Sequence, residues 1–235
     1  MRRSRNGPVR RAPASAITAI AAITAALVAA ARLRPGPWTR ATCVALAVIL
    51  VAAEVGWWAY LATAGARGAD LASALPLQLC DAAIFVSALA LILGKQLLVE
   101  MTYFWGLAGT IQAVITPDLP QHFPSFPFFQ YYVAHGGIVA AALFLVVGLG
   151  RWPRRDAVLR VIVITIAYAL LVGAIDALTG ADYMYLRSKP ASTSLLDLLG
   201  AWPWYIAWAS LIGAMLCFIL DAPFRWLRSR PPAPM

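Results

Sequence analysis

The stretch AVLRVIVITIAYALLVGAIDAL, residues 157–178, carries one arginine near its start, one aspartate near its end and no charge between them. An α-helix rises about 1.5 Å per residue, so this segment is long enough to cross the roughly 30 Å hydrocarbon core of a bilayer. Six further stretches share that character: 13–31, 41–62, 76–93, 97–116, 128–149 and 201–220. Short loops punctuated by proline and glycine separate them, such as Pro35-Gly36-Pro37 and the turn around Pro153. Composition agrees. Of 235 residues, 62% are hydrophobic and 12% charged, with a mean hydropathy of +0.75. A soluble domain runs near 45–50% apolar and about 25% charged. So few charges cannot cover so much apolar surface in water, which excludes most soluble enzymes and disordered regulators.

The expected fold class is therefore all-α, a polytopic membrane bundle of seven transmembrane helices over residues 13–220. Tails at 1–12 and 221–235, rich in Arg and Pro, are expected to be disordered. The net charge of +9 then reads as a topology signal, and no nucleic-acid partner is expected. The loops after helices one, three and five and the C-terminal tail carry Arg32, Arg34, Arg40, Lys95, Arg151, Arg154, Arg155, Arg160, Arg225, Arg228 and Arg230. The loops after helices two, four and six carry Arg67, Arg187 and Lys189. The positive-inside tendency places the C-terminus in the cytoplasm and the N-terminus outside, as a multi-pass protein of the cell membrane. The N-terminal tail opposes this: its arginines, followed by an apolar run ending at Ala29-Ala30-Ala31, imitate a secretory signal peptide. Heavy use of Arg over Lys, with abundant Ala, points to a GC-rich bacterial genome.

Ionisable groups inside spanning helices cost a few kcal/mol and mark candidate functional sites. Glu54, Asp81, Gln112, His135 and Asp176, joined by Cys80, all fall toward one half of the bilayer by span counting. Glu100 falls toward the other half, with Lys95 as its expected partner. One reading is a polar pocket; the other is hydrogen bonding that joins helices. Cys43 and Cys217 fall toward the opposite membrane face from Cys80, which is therefore expected to be an unpaired thiol. Pro76 suits a first helical turn and places Cys80 near the positive end of a helix dipole, a setting that activates a thiol. With His135 it forms a candidate nucleophile and base for acyl transfer. Gly136 and Gly137 allow a helix or a lipid chain to approach the imidazole. The only other histidine, His122, lies in a loop without ligand spacing, so no metal and no cofactor are expected. Tyr131, Tyr132, Trp57, Trp58, Trp202 and Trp204 read as interfacial anchors. Arg187 and Lys189, on the pocket side, are either phosphate-holding residues or solvated loop charges.

The run Leu75-Pro-Leu-Gln-Leu-Cys-Asp81, then Tyr103-Phe-Trp-Gly-Leu-Ala-Gly-Thr-Ile-Gln112, Thr116-Pro-Asp118 and Phe123-Pro-Ser-Phe126, resembles the YwaF-like bacterial integral membrane proteins. Tyr132-Val-Ala-His-Gly136, Asp182-Tyr-Met-Tyr-Leu186 and Gly200-Ala-Trp-Pro-Trp-Tyr205 continue the resemblance in order over roughly 75–215. Eukaryotic relatives, the transmembrane protein 164 acyltransferases, imply a seven-helix fold with a Cys nucleophile and a His that move a fatty-acyl chain between phospholipids. Carried over, these roles fall on Cys80 and His135. The family usually has His where Gln78 stands and Asn where Asp182 stands; if that His assists the thiol, Gln78 retunes the chemistry.

Two functions stand side by side. The first is a lipid acyltransferase or acyl hydrolase that works through a thioester on Cys80. His135 would carry the proton, Gln78, Asp81, Gln112, Asp182, Glu54 and Asp176 would support the pocket, and Arg187, Lys189 and Tyr183 would bind the membrane-lipid substrate. The second is a non-catalytic transporter or binding protein in which Glu54, Asp81 and Asp176 serve as proton or cation sites.

Overall fold

The chain was analysed as a computed structural model that describes residues 8–63, 75–115, 117, 123–190 and 194–229. Arg67, Thr116, Asp118, His122 and Arg230 lie outside the described residues, as do the outer parts of both tails. Among the described residues, seven main helices follow in order: α1 Pro8–Leu33, α2 Trp38–Thr63, α3 Leu79–Leu93, α4 Gln96–Ile115, α5 Phe126–Gly148, α6 Ala157–Thr179 and α7 Trp204–Ser229. Six are long and apolar enough to cross a membrane, and α3 is the shorter apolar exception. The architecture is an all-helical membrane bundle, with no strand among the described residues.

Helical structure reaches into both segments read as tails. The helix α1 begins at Pro8, inside the segment expected to be disordered, and α7 continues through Ser229. A buried aspartate accounts for the second difference. Asp221, fully buried, pairs with Arg225 at 2.5 Å and Arg228 at 3.3 Å. Spacings of four and seven residues put all three on one helix face, and Arg228 also donates to the Pro153 carbonyl. These arginines are helix anchors.

The start of α3 also differs from the sequence reading. Pro76 stays outside the helix, Gln78 is the N-cap, and Asp81 accepts from the Gln78 amide at 3.2 Å. A capping box fixes the first turn here, so Cys80 is the second helical residue. The C-terminus of α3 closes on Gly94 at φ +61°, and the chain turns directly into α4. Only glycine suits that site: the backbone is left-handed, and a Cβ would collide with the Arg151 guanidinium. Arg151 and Arg40 donate to the carbonyls of Gly94 and Ile92, each at 2.7 Å, and so cap this helix end.

The centre of the bundle is α4 and α5. Their apolar windows are 56% and 67% buried by protein, against 11–17% for α1, α2, α6 and α7. Small residues bring the two central helices close. A Cβ on Gly106 would lie 3.3 Å from both Ala142 and Ile138, and one on Gly136 would lie 2.6 Å from Ile20 of α1. In a bilayer, where apolar burial between helices is little rewarded, such close packing supplies much of the attraction. Both central helices contain a π-helical stretch, Trp105–Thr110 and Phe144–Gly148.

The basic end of the bundle is laced by ion pairs. The partner of Glu100 is not the expected Lys95: Arg154 meets it at 2.8 Å and Arg160 at 3.3 Å, and the Arg154 amide donates as well. Lys95 is nearer in sequence, but the turn into α6 brings two guanidiniums over a fully buried carboxylate. Arg160 donates to Asp156 too, which holds that loop carboxyl below its usual range.

Two outcomes follow. Glu100→Gln should lower stability by about 1–2 kcal/mol, because it weakens the charge-assisted hydrogen bonds while the partly exposed guanidiniums it leaves can be hydrated; thermal unfolding in detergent measures this. Gly136→Leu should overpack the α1–α5 contact at a cost of about 1–3 kcal/mol, seen as faster proteolysis of the α1 segment, while far-ultraviolet helicity is retained.

Candidate functional site

The end of α3 that carries Cys80 does not reach the level of its neighbours. The Tyr168 hydroxyl, in the middle of α6, donates to the Leu77 carbonyl at 3.0 Å. Tyr168 stands about 16 Å before the end of α6 at Thr179, by helical rise. The α3 N-terminus is thus recessed into the bundle. Non-helical backbone at such depth must have its amides and carbonyls satisfied by protein, and a loop from 180 to 188 folds in over it to do so.

Most of the expected pocket residues build this cover. Asp176 is fully buried, and its two carboxylate oxygens accept from the Tyr183 amide at 3.0 and 3.1 Å. The Tyr183 hydroxyl accepts from the Leu75 amide at 2.9 Å, and Gln78 Oε1 accepts from the Met184 amide at 2.8 Å. Asp182 accepts from the amides of Arg187 and Ser188, each at 2.9 Å, and from the Ser188 hydroxyl. Arg187 donates to the carbonyls of Asp176 and Ala181 at 3.3 and 3.2 Å. Lys189 stands 3.8 Å from Asp197 and over the Tyr205 ring, while the Tyr205 hydroxyl donates to the Tyr185 carbonyl at 2.6 Å. Met184 and Tyr185 adopt left-handed conformations, φ 56° and 55°, rare for such side chains and held by this network.

Beneath the cover, two sets of contacts meet on one turn of α4. Cys80, half-buried and unpaired, lies near enough to the Thr110 hydroxyl for the two groups to interact, and its neighbour Leu79 stands against Gly109. On the other side, the Tyr131 hydroxyl of α5 donates to the Ala113 carbonyl at 3.0 Å, and Ile138 packs on Gly106. Between antiparallel helices, each step along α5 is a step back along α4. His135 therefore falls at the level of Gly109, one residue from Thr110.

The imidazole is held firmly. Its Nδ1 lies 2.8 Å from the Tyr131 carbonyl, and its ring stacks on the Tyr131 ring at 4.1 Å. A carbonyl only accepts, so Nδ1 carries the proton; in the neutral ring Nε2 then carries the lone pair. That is the tautomer a general base requires.

Thr110 belongs to the π-helical stretch of α4, and its hydroxyl also lies 3.2 Å from the Trp105 carbonyl. Trp105 Nε1 donates to Thr165 of α6 at 2.8 Å. Thr110, Trp105, Thr165, Tyr168 and Tyr131 were not singled out from sequence as parts of a site; the spacing of Gly106 and Gly109 on α4 is a signal of close approach that could have pointed to them. Gln112 is exposed, so Thr110 takes the place beside the thiol. Glu54 is buried on α2, near enough to Asp81 for their charges to interact, and its Oε1 has no hydrogen-bond partner among the described residues. Among the described residues, no three metal-ligating side chains cluster.

Beside Leu79 and Gly109 lies an apolar cavity of about 550 Å³ between α4, α6 and α7. Its size suits a small-molecule or single-chain ligand. It extends from Met184 and Tyr205 down to Cys217.

No curated protein and no solved structure matches this chain. The family comparison does give a match, and it covers residues 8–221, from the first helix to the buried aspartate of the last. That span takes in Cys80, Thr110, His135 and the loop that covers them, and the chain belongs to the TMEM164 family.

Proposed function

We propose that this protein transfers or hydrolyses a lipid acyl group through a thioester on Cys80, with His135 as the base. The observation that supports this reading is that α3 and α5 both reach the Gly109–Thr110 turn of α4: the thiol lies within reach of the Thr110 hydroxyl, and an imidazole of the right tautomer falls at the level of Gly109. The resemblance of the surrounding motifs to acyltransferases points the same way.

The chemistry balances with these groups alone. His135 Nε2 takes the Cys80 proton, and the sulfur attacks the ester carbonyl of a membrane lipid. The tetrahedral intermediate collapses, the C–O bond breaks, and the imidazolium returns the proton to the leaving lysolipid oxygen. The hydroxyl of a second lysolipid, or water, then attacks the thioester while His135 accepts its proton, and the thiol is restored. Thr110 has one hydroxyl proton and two acceptors in reach, the Trp105 carbonyl and the Cys80 sulfur. Rotation toward the sulfur stabilises the anion as it forms, which makes Thr110 a positioning residue.

One observation favours a second reading. The orphaned Glu54 oxygen beside Asp81 is the kind of group that binds a proton or cation in a transporter. That reading requires no thiol.

Incubation of the purified protein with phosphatidylcholine carrying an isotope-labelled acyl chain, followed by mass spectrometry of the Cys80 peptide, tests the proposal. Wild type should show a hydroxylamine-sensitive acyl adduct, and Cys80→Ala should show neither adduct nor turnover. His135→Asn should slow acylation by about 10²–10⁴-fold. A folded wild type that acylates nothing, or flux of a solute that survives Cys80→Ser, would overturn the enzyme reading.

A further inference from the structure

The apolar cavity has a depth as well as a volume. Along α7 its lining runs from Tyr205 to Cys217, about 18 Å by helical rise. One leaflet contributes about half of the roughly 30 Å hydrocarbon core, near 15 Å. The cavity thus has the depth of one acyl chain inserted from the Cys80 side. Leu79 and Gly109, the chain neighbours of Cys80 and Thr110, line it part-way down, and its upper end is bounded by Met184 and Tyr205. Its lower end reaches Cys217, a buried and unpaired residue.

The α7 wall is lined by small residues at this lower end. Gly213 and Ala214 both face the cavity, and a Cβ built on Gly213 would meet no atom within 4 Å. Little in the fold demands small side chains there, since among the described residues no neighbouring helix packs on Gly213. By contrast, Gly106 and Gly136 lie under direct contact.

The geometry points to the cavity between α4, α6 and α7 as the site of a single lipid acyl chain that passes Leu79 and Gly109, with Gly213 and Ala214 setting the chain length accepted. That this chain is one the protein transfers rests on the acyl-transfer reading above; the seating of the chain does not. A lipid in the leaflet needs no passage through water to reach this site, because the groove lies between membrane-spanning helices. Longer chains extend to Cys217, and bulk at position 213 closes the lower part.

The test uses the full-length protein in phosphatidylcholine nanodiscs containing a probe phosphatidylcholine with a photoreactive diazirine near the methyl end of one chain. Cross-linked peptides are located by mass spectrometry, in wild type and in Cys80→Ser. Labelling should concentrate on the cavity face of α7 around Gly213 and Cys217, several-fold above the outward-facing Trp208, Met215 and Phe218, and should persist in Cys80→Ser. Gly213→Leu, which fills open space and favours helix, should fold normally and lose most of that labelling for long-chain probes while retaining it for short ones. Labelling spread evenly over the outer face and unchanged by Gly213→Leu would overturn the assignment. A labelled cavity with Cys80 never acylated would sink the catalytic reading and leave this one standing; acylated Cys80 with an unlabelled cavity would do the reverse.

Discussion

The structure depends on one constraint: a helix that begins inside the bundle must find partners for its backbone without water. An exposed amide or carbonyl in hydrocarbon costs several kcal/mol, and the recessed start of α3 presents several. Gln78 and Asp81 cap the first turn, Tyr168 takes the Leu77 carbonyl, and Tyr183 takes the Leu75 amide. The covering loop has the same problem, and Asp176, Asp182 and Gln78 solve it from their own side chains. Two groups of polar residues that look like a binding pocket are in this way a mutual scaffold. Its product is a thiol set below the surface, next to an apolar cavity and open to a single turn of α4.

This arrangement explains why the bundle is asymmetric. At the end with Arg40, Arg151, Arg154 and Arg228, guanidiniums cap carbonyls and bracket Glu100 and Asp221, so the charges lock helix ends together. At the Cys80 end the bonds are mainly between neutral backbone groups and carboxylates or phenols. The first end holds the frame, and the second shapes the space beneath the loop. Between them α4 and α5 form the rigid centre, while α6 and α7 wall the cavity with most of their surface facing outward.

The helices were legible in the sequence because bilayer thickness fixes their length and hydropathy. The start of α3 was not: Pro76 satisfies the rule for a first turn, yet the capping pair Gln78 and Asp81 decides the boundary two residues later. Cys80 and His135 stood out as polar groups in apolar runs. Asp176 stood out equally, though its partner is a backbone amide on a folded-back loop, and nothing local distinguishes that from a pocket acid. Glu100 was assigned to Lys95 by proximity along the chain, whereas Arg154 and Arg160 arrive from beyond another helix. Thr110 gave no signal, since a threonine in an apolar helix ordinarily bonds its own backbone. Its orientation comes from the π-helical stretch, which hydropathy does not record.

That stretch has a consequence for how such a chain can vary. A π turn holds one residue more than an α turn, so it is in effect an insertion absorbed inside a helix. Each residue of an α-helix turns by about 100°. Loss of a single residue between Trp105 and Thr110 would let regular winding resume with the flanking faces kept, whereas the same loss in a regular turn of α4 would rotate everything after it by about 100°. The π stretch is therefore the part of α4 where a one-residue change in length costs the least in the aim of the helix end.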